Sequence, residues 1–156
     1  MATNGNVNVS DLENFRQKVE ESLGTTQIDL FMESCAKELT ARLLAKVIKR
    51  TPVGQYPKKS GKKGGTLRRG WTAGTNQAAN SYAKNLRVNH FGDVYVIEII
   101  NPVEYAPYVE FGHRTRGGRG WVEGKFMLTI SEQEIQSDAP RILENKLKKK
   151  LSEVFR

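Results

Sequence analysis

The sequence holds a single cysteine, Cys35, and two histidines, His90 and His113, in 156 residues. One cysteine excludes an intrachain disulfide and a cysteine-based metal cluster. Neither histidine sits in a ligand-spaced pattern such as His-Glu-x-x-His, and a general base needs a positioned partner that the sequence does not supply. No catalytic, cofactor-binding or metal-binding residue emerges. No apolar run approaches the ~20 residues needed to span a bilayer, so no membrane contact is expected. The first ten residues are polar and uncharged, unlike a secretory signal.

The most extended absence is of negative charge. From Leu39 to Gly92 there is no Asp or Glu, while 12 Lys and Arg occur there; the other 13 basic residues face all 17 acidic ones. A block of one sign attracts polyanions at long range. Two readings stay open ahead of a membrane or another anionic partner: a solvated basic face that meets an acidic neighbouring subunit, or a surface close to DNA.

What is present fits one domain, since 38% of the residues are hydrophobic and the length suffices to bury a core. Residues 1–10 carry no apolar periodicity and read as a flexible arm; residues 11–156 read as one α+β domain. Ser10 or Asp11 is placed to cap a helix bearing Leu12, Phe15, Val19 and Leu23, stopped by Gly24. Thr26 and Asp29 form an approximate capping box for a long helix ending near Lys49 or Arg50. Ile28, Phe31, Cys35, Leu39, Leu43 and Val47 make its apolar stripe, which places Cys35 in the core as a small hydrophobe. Pro52 forbids continuation.

Residues 54–66 hold four Gly, one Pro and four Lys, the composition of a mobile basic loop. Leu67–Ala73 and Ala83–His90 read as strands, and His90-Phe91-Gly92-Asp93 as a hairpin turn. Val94–Ile100, apolar except for Glu98, reads as a strand covered on both faces. Phe126–Gln136 reads as a helix with Phe126, Ile130 and Met127 inward. Asp138 and Pro140 then open a separate last helix with Ile142, Leu143, Leu147, Leu151, Val154 and Phe155 inward.

Two alternatives to a structural role fail on order. Gly61–Gly65 lacks the Gly-x-x-x-x-Gly-Lys-Ser/Thr sequence of a phosphate loop and is not expected to lead into a helix. Glu98, Glu104 and Glu110 span a proline corner, so nothing fixes their mutual geometry, and Glu98 and Glu110 are expected to pair with arginines among residues 68–69 and 114–119.

The most informative stretch is Asn101-Pro102-Val103-Glu104-Tyr105-Ala106-Pro107-Tyr108-Val109-Glu110-Phe111-Gly112-His113. Asn101-Pro102 stops a strand, while Pro107 and Gly112 suit the start and end of a short helix. Tyr108 and Phe111 then lie three apart on one side, and a basic, glycine-rich loop with Arg114, Arg116 and Arg119 follows. Tyr105, Tyr108, Phe111 and Trp121 read as core or interface aromatics, and the three arginines as contacts to a neighbouring subunit.

Together with Thr51-Pro52-Val53, Leu67-Arg68-Arg69-Gly70-Trp71 and Phe126-Met127-Leu128, this stretch resembles the tail-completion, or head–tail joining, proteins of long-tailed bacteriophages. The order matches over roughly residues 28–155. Where that family closes Thr-Pro-Val with a compact Asp-Thr-Gly turn, this chain carries the insertion 54–66. The resemblance implies a small, mostly antiparallel sheet packed against a long N-terminal-half helix and a C-terminal helix. It also implies a structural neck protein of the virion, assembled in the host cytoplasm into a ring, hexameric in such necks, without enzymatic activity or cofactor. Its partners would be connector or stopper rings, the tail terminator and further copies of itself, with non-specific contact to packaged DNA. Lys58, Lys59, Lys62, Lys63, Arg68 and Arg69 are the candidates to face the DNA channel or an adjoining ring. The alternative, from a different class, is a sequence-independent nucleic-acid-binding module using residues 42–87.

Overall fold

The computed structural model describes residues 3–5 and 24–154; the helix expected over Leu12–Leu23, and Phe155, lie outside them. The long helix α1 spans Thr25–Arg50. Its buried residues, Ile28, Met32, Cys35, Leu39, Thr40, Leu43, Leu44 and Val47, recur every three to four positions, as one face of a helix requires. Phe31 is only half-buried. The expected capping box does not form. Gly24 is the N-cap without a side-chain bond, and Asp29 instead accepts from the Tyr95 hydroxyl at 2.6 Å.

Four further helices follow: α2 (Thr66–Gly70), α3 (Ala79–Lys84), α4 (Ala106–Phe111) and α5 (Met127–Val154). Helix α1 packs against α3 and α5, and one cluster joins Leu39, Leu43, Leu44 and Val47 to Trp71, Ile99, Met127 and Ile135. The strands are β1 (Thr3–Gly5), β2 (Asn89–Phe91), β3 (Val94–Val96), β4 (Ile99–Asn101), β5 (Gly112–Arg114) and β6 (Trp121–Glu123). They pair antiparallel as β1–β4, β2–β3 and β5–β6. The fold is therefore α+β: long helices packed with small two-stranded sheets.

Several local expectations are corrected. Leu67–Ala73 opens with a helix, not a strand. Its inward residues Leu67, Gly70 and Trp71 stand at helical spacing of three and four, which no period of two accommodates. Ala83 lies in α3 against α1, with 0% exposure, so only the end of Ala83–His90 is extended. Val94–Ile100 breaks into β3 and β4, and it is covered on one face only: Tyr95, Ile97 and Ile99 are buried while Val94, Glu98 and Ile100 are exposed. The turn at Gly92 does close a hairpin, with Phe91 opposite Val94.

Within the segment read as an arm, Thr3–Gly5 forms β1, registered Thr3↔Asn101, Asn4↔Ile100 and Gly5↔Ile99. Strand pairing satisfies backbone groups whatever the side chains are, so an apolar pattern cannot announce it. The two expected C-terminal helices are one, α5, with Pro140 inside it. Proline removes the N–H that would bond to Gln136; both residues are exposed, so water can take the freed carbonyl. Ile135, Ala139 and Ile142 are buried across the proline, and that continuous packing outweighs a cost of about 3 kcal/mol. The inward face of α5 matches expectation only in part. Met127 is buried as expected, together with Leu128, Ser131 and Ile135, while Phe126 and Ile130 are 39% and 38% exposed.

Candidate assembly surface

The quoted motifs converge on buried polar fasteners. The Thr51 hydroxyl donates to Val47 O at 2.7 Å and accepts from Trp71 Nε1 at 2.8 Å. Thr51 O, at the negative end of the α1 dipole, accepts twice from the Arg68 guanidinium, at 3.1 and 2.7 Å. Asn101 Nδ2 donates to Leu67 O at 2.9 Å, and its Oδ1 accepts from Val103 N at 3.1 Å. Thr-Pro-Val, Leu-Arg-Arg-Gly-Trp and the Asn-Pro corner are thus tied together.

Glu110 is the residue the sequence reading placed wrongly. It does not meet an arginine. Fully buried, it accepts from the Leu128 and Thr129 amides, each at 2.9 Å, and from the Thr129 hydroxyl at 2.6 Å. These amides belong to the otherwise unbonded first turn of α5, so a carboxylate 18 residues upstream serves as that helix's cap. Pinning Leu128 and Thr129 sets the rotation of α5, and Phe126, with a positive φ of 46°, stays outside the helix. An N-terminal acidic cap usually lies within a few residues of its helix, so no local signal identifies Glu110.

These fasteners hold an outward surface. Helix α4 has Pro107 in its first turn and Gly112 at its C-cap, as the sequence indicates. It buries Ala106 and Glu110 and presents Tyr105, Tyr108 and Phe111, exposed by 46%, 58% and 57%. Residues three apart share a helix side, so the three form a stripe. The chain passes directly into β5 and the hairpin to β6, where Arg114 faces Trp121 and Arg116 and Arg119 lie exposed in the turn. Trp121 is 55% exposed. His113 lies on β5, its ring edge-on to Tyr108 at 6.0 Å. Gly112 is required here, because a Cβ would come within 2.6 Å of Val122 O. The motif aromatics are therefore surface, not core, and arginine beside exposed aromatics is the composition of protein contacts.

The six candidate channel residues divide. Lys58, Lys59, Lys62 and Lys63 are exposed along the loop, with Lys62 Nζ 6.0 Å from the Tyr56 ring centroid. Arg68 and Arg69 turn inward: the first holds Thr51 O, and the second donates to Gly64 O at 3.5 Å. Gly65 does precede a helix, α2, contrary to the sequence expectation, but that helix has five residues. Ions elsewhere are partly matched. Glu134 takes Lys46 at 2.9 Å and Arg50 at 2.7 Å, and these bonds hold its carboxyl below the ordinary value. Burial pushes Glu38 up, but bonds from Lys146 and Arg42 outweigh it and leave its carboxyl lowered. His90 contacts Glu33 at 3.0 Å and Tyr95 edge-on at 4.4 Å from β2. Among the described residues no group of three or more His, Cys, Asp or Glu is placed to hold a metal ion. None of their helices is long and apolar enough to cross a membrane.

An α+β framework whose buried polar groups serve the fold, and whose exposed face is aromatic and basic, is organised for contact with other macromolecules. The chain belongs to the family described as "Bacteriophage HK97-gp10, putative tail-component", which it matches over residues 13–112. Membership makes it a phage tail component and implies a structural part rather than an enzyme. The match takes in Thr51, Trp71, Asn101 and α4 but ends before the hairpin arginines and α5. No curated protein and no solved structure matches the chain.

Proposed function

We propose that this tail component joins the DNA-filled head to the tail, as one subunit of a ring around the DNA channel. The observation that carries the reading is the stripe Tyr105–Tyr108–Phe111 with Trp121 and three arginines beside it. Single exposed apolar residues are ordinary, but a contiguous group at the end of a rigidly tied corner marks a contact surface. Neighbouring copies, or the adjoining connector, stopper or terminator ring, are the partners that such a particle offers. The loop 54–66 is a second contact, with Lys58, Lys59, Lys62 and Lys63 turned toward an adjoining ring or the packaged DNA. Association would order these segments, and the apolar area buried offsets that entropy; no chemical step is involved.

The experiment is a phage produced without this chain and examined by electron microscopy. Full heads and separate tails are expected to accumulate, with joining restored when purified protein is added. Joined, infectious particles at wild-type yield would overturn the reading. Native mass spectrometry of the isolated neck then counts the subunits, for which six are expected.

A further inference from the structure

We infer that a trough between α1, α3 and α5 binds the phosphodiester backbone of duplex DNA. The trough encloses about 570 Å³ and gathers Lys37 and Arg42 from α1, Lys84 from the end of α3 and Lys146 from α5. A second hollow of about 280 Å³ shares Arg42 and Lys146 and adds Arg141 and Lys149. The two therefore form one continuous basic track. Lys146, Lys149 and Arg141 are far outside the acid-free stretch of the sequence, and only the packing of α5 on α1 brings them to it.

Charge is unbalanced along the track. Among the described residues, Glu38 is the one carboxylate lining either hollow, against six cations. It sits between Lys146 at 2.8 Å and Arg42 at 3.0 Å. Asp138 reaches Arg141 at 3.6 Å from outside the track. The Lys37 ammonium donates to Lys84 O at 2.8 Å, which holds one cation at the rim between α1 and α3. Lys84 and Lys149 are exposed and make no ion pair with a described residue.

The lining chooses between polyanions. Protein-binding grooves are anchored by aromatic or large apolar pockets, and among the described residues no aromatic side chain lines either hollow. Between the charged groups the larger one is lined by the small side chains of Ser34, Ala41, Ala45, Ala79 and Asn80, which leave the cations its most prominent groups. Cations set among so plain a lining read charge and spacing, not sequence, which is how a protein meets a phosphate backbone. The inference needs only the free subunit, so it fails or stands separately from the joining role.

The test is fluorescence anisotropy of the purified chain with a 30-base-pair duplex of arbitrary sequence across a salt series. Wild type is expected to bind, with log affinity falling by about 0.9 per phosphate neutralised for each decade of salt. Lys84→Glu/Lys149→Glu changes two exposed side chains outside the Glu38 pair. It should weaken binding at least ten-fold and shallow the salt slope by about 2. Replacing Lys58, Lys59, Lys62 and Lys63 by Ala should change affinity less than two-fold. Acetylation of wild type supplies a measure free of mutation: DNA should protect Lys37, Lys84, Lys146 and Lys149 more than the loop lysines. Three results each overturn the inference: no binding by wild type at 50 mM salt, undiminished binding by the track variant, or protection confined to the loop.

Discussion

The Trp71 indole N–H donates to the Thr51 hydroxyl at 2.8 Å across 20 residues of sequence, and both side chains are fully buried. One hydroxyl thereby ends α1 and anchors the largest side chain of the core. A buried donor that loses its acceptor keeps its desolvation cost, so Thr51→Val, nearly isosteric, should destabilise the chain by about 1–3 kcal/mol. Thr51→Ser keeps the acceptor and should lose less. Urea unfolding of the two variants checks this; a larger loss in Thr51→Ser than in Thr51→Val would mean that the methyl group, not the hydroxyl, matters.

Gly70→Ala sets two effects of opposite sign against each other. In a helix, alanine is favoured over glycine by about 1 kcal/mol. A Cβ at Gly70 would overlap Asn101 Oδ1 and approach Val103 Cγ2 to 2.8 Å, and overpacking costs about 1–3 kcal/mol. Asn101 is held by bonds to Leu67 O and Val103 N and cannot yield without losing them. The steric effect should win, and thermal melting should fall. A rise would show that the corner relaxes freely.

Glu110→Ala removes the acceptor of three bonds at the head of α5. Loss of a helix cap costs about 0.5–2 kcal/mol, and Glu110→Gln, which retains one acceptor oxygen, should cost less. Hydrogen exchange locates the effect: the Leu128 and Thr129 amides should lose protection before those of α1. Unchanged protection there would remove Glu110 from its capping role.

Acid should weaken the α1–α5 contact specifically. Glu38 and Glu134 both titrate below their ordinary value of 4.5, and a depressed carboxylate contributes stability above its unfolded pKa that disappears as pH falls through the folded one. Stability should therefore hold at neutral pH and decline below about 4.5. Glu134→Gln and Lys146→Met should each flatten that decline, measured as urea midpoints between pH 7 and pH 3. A slope unchanged in both variants would assign acid sensitivity to other groups.

What the sequence makes legible follows the range of the forces involved. Helix α1 is plain because its apolar spacing persists over 26 residues, and α4 because Pro107 and Gly112 mark its ends locally. The corner at Asn101-Pro102 is equally local. Glu110 is not legible, since its partners stand 18 and 19 residues away and a carboxylate looks the same whether it meets an arginine or an amide. The unity of α5 is hidden for a related reason: Pro140 is a strong local stop that tertiary packing overrules. At the surface, the sequence brings Tyr105, Tyr108 and Phe111 together but leaves core and interface open, because an aromatic stripe serves either. Only the inward turn of Ala106 and Glu110 decides it.

That decision carries the sharpest prediction. Phe→Ala in a packed core costs about 3–5 kcal/mol, but Phe111 is 57% exposed and surface changes usually stay within about 0.5 kcal/mol. Phe111→Ala should leave the melting of the isolated subunit within 2–4 °C of wild type, the shift that about 1 kcal/mol produces in a domain of this size. Tyr108→Ala should behave alike. In the particle the same substitutions should separate heads from tails, because the lost area lies at a contact where aromatic anchors dominate affinity. Substituting the four loop lysines by Ala gives the contrast, an intact fold with a defect that depends on salt if it involves charge. A large fall in subunit stability for Phe111→Ala with particles otherwise normal would return the stripe to the core. Normal melting with normal particles would show that it contacts nothing, and the joining surface would have to be sought on another face.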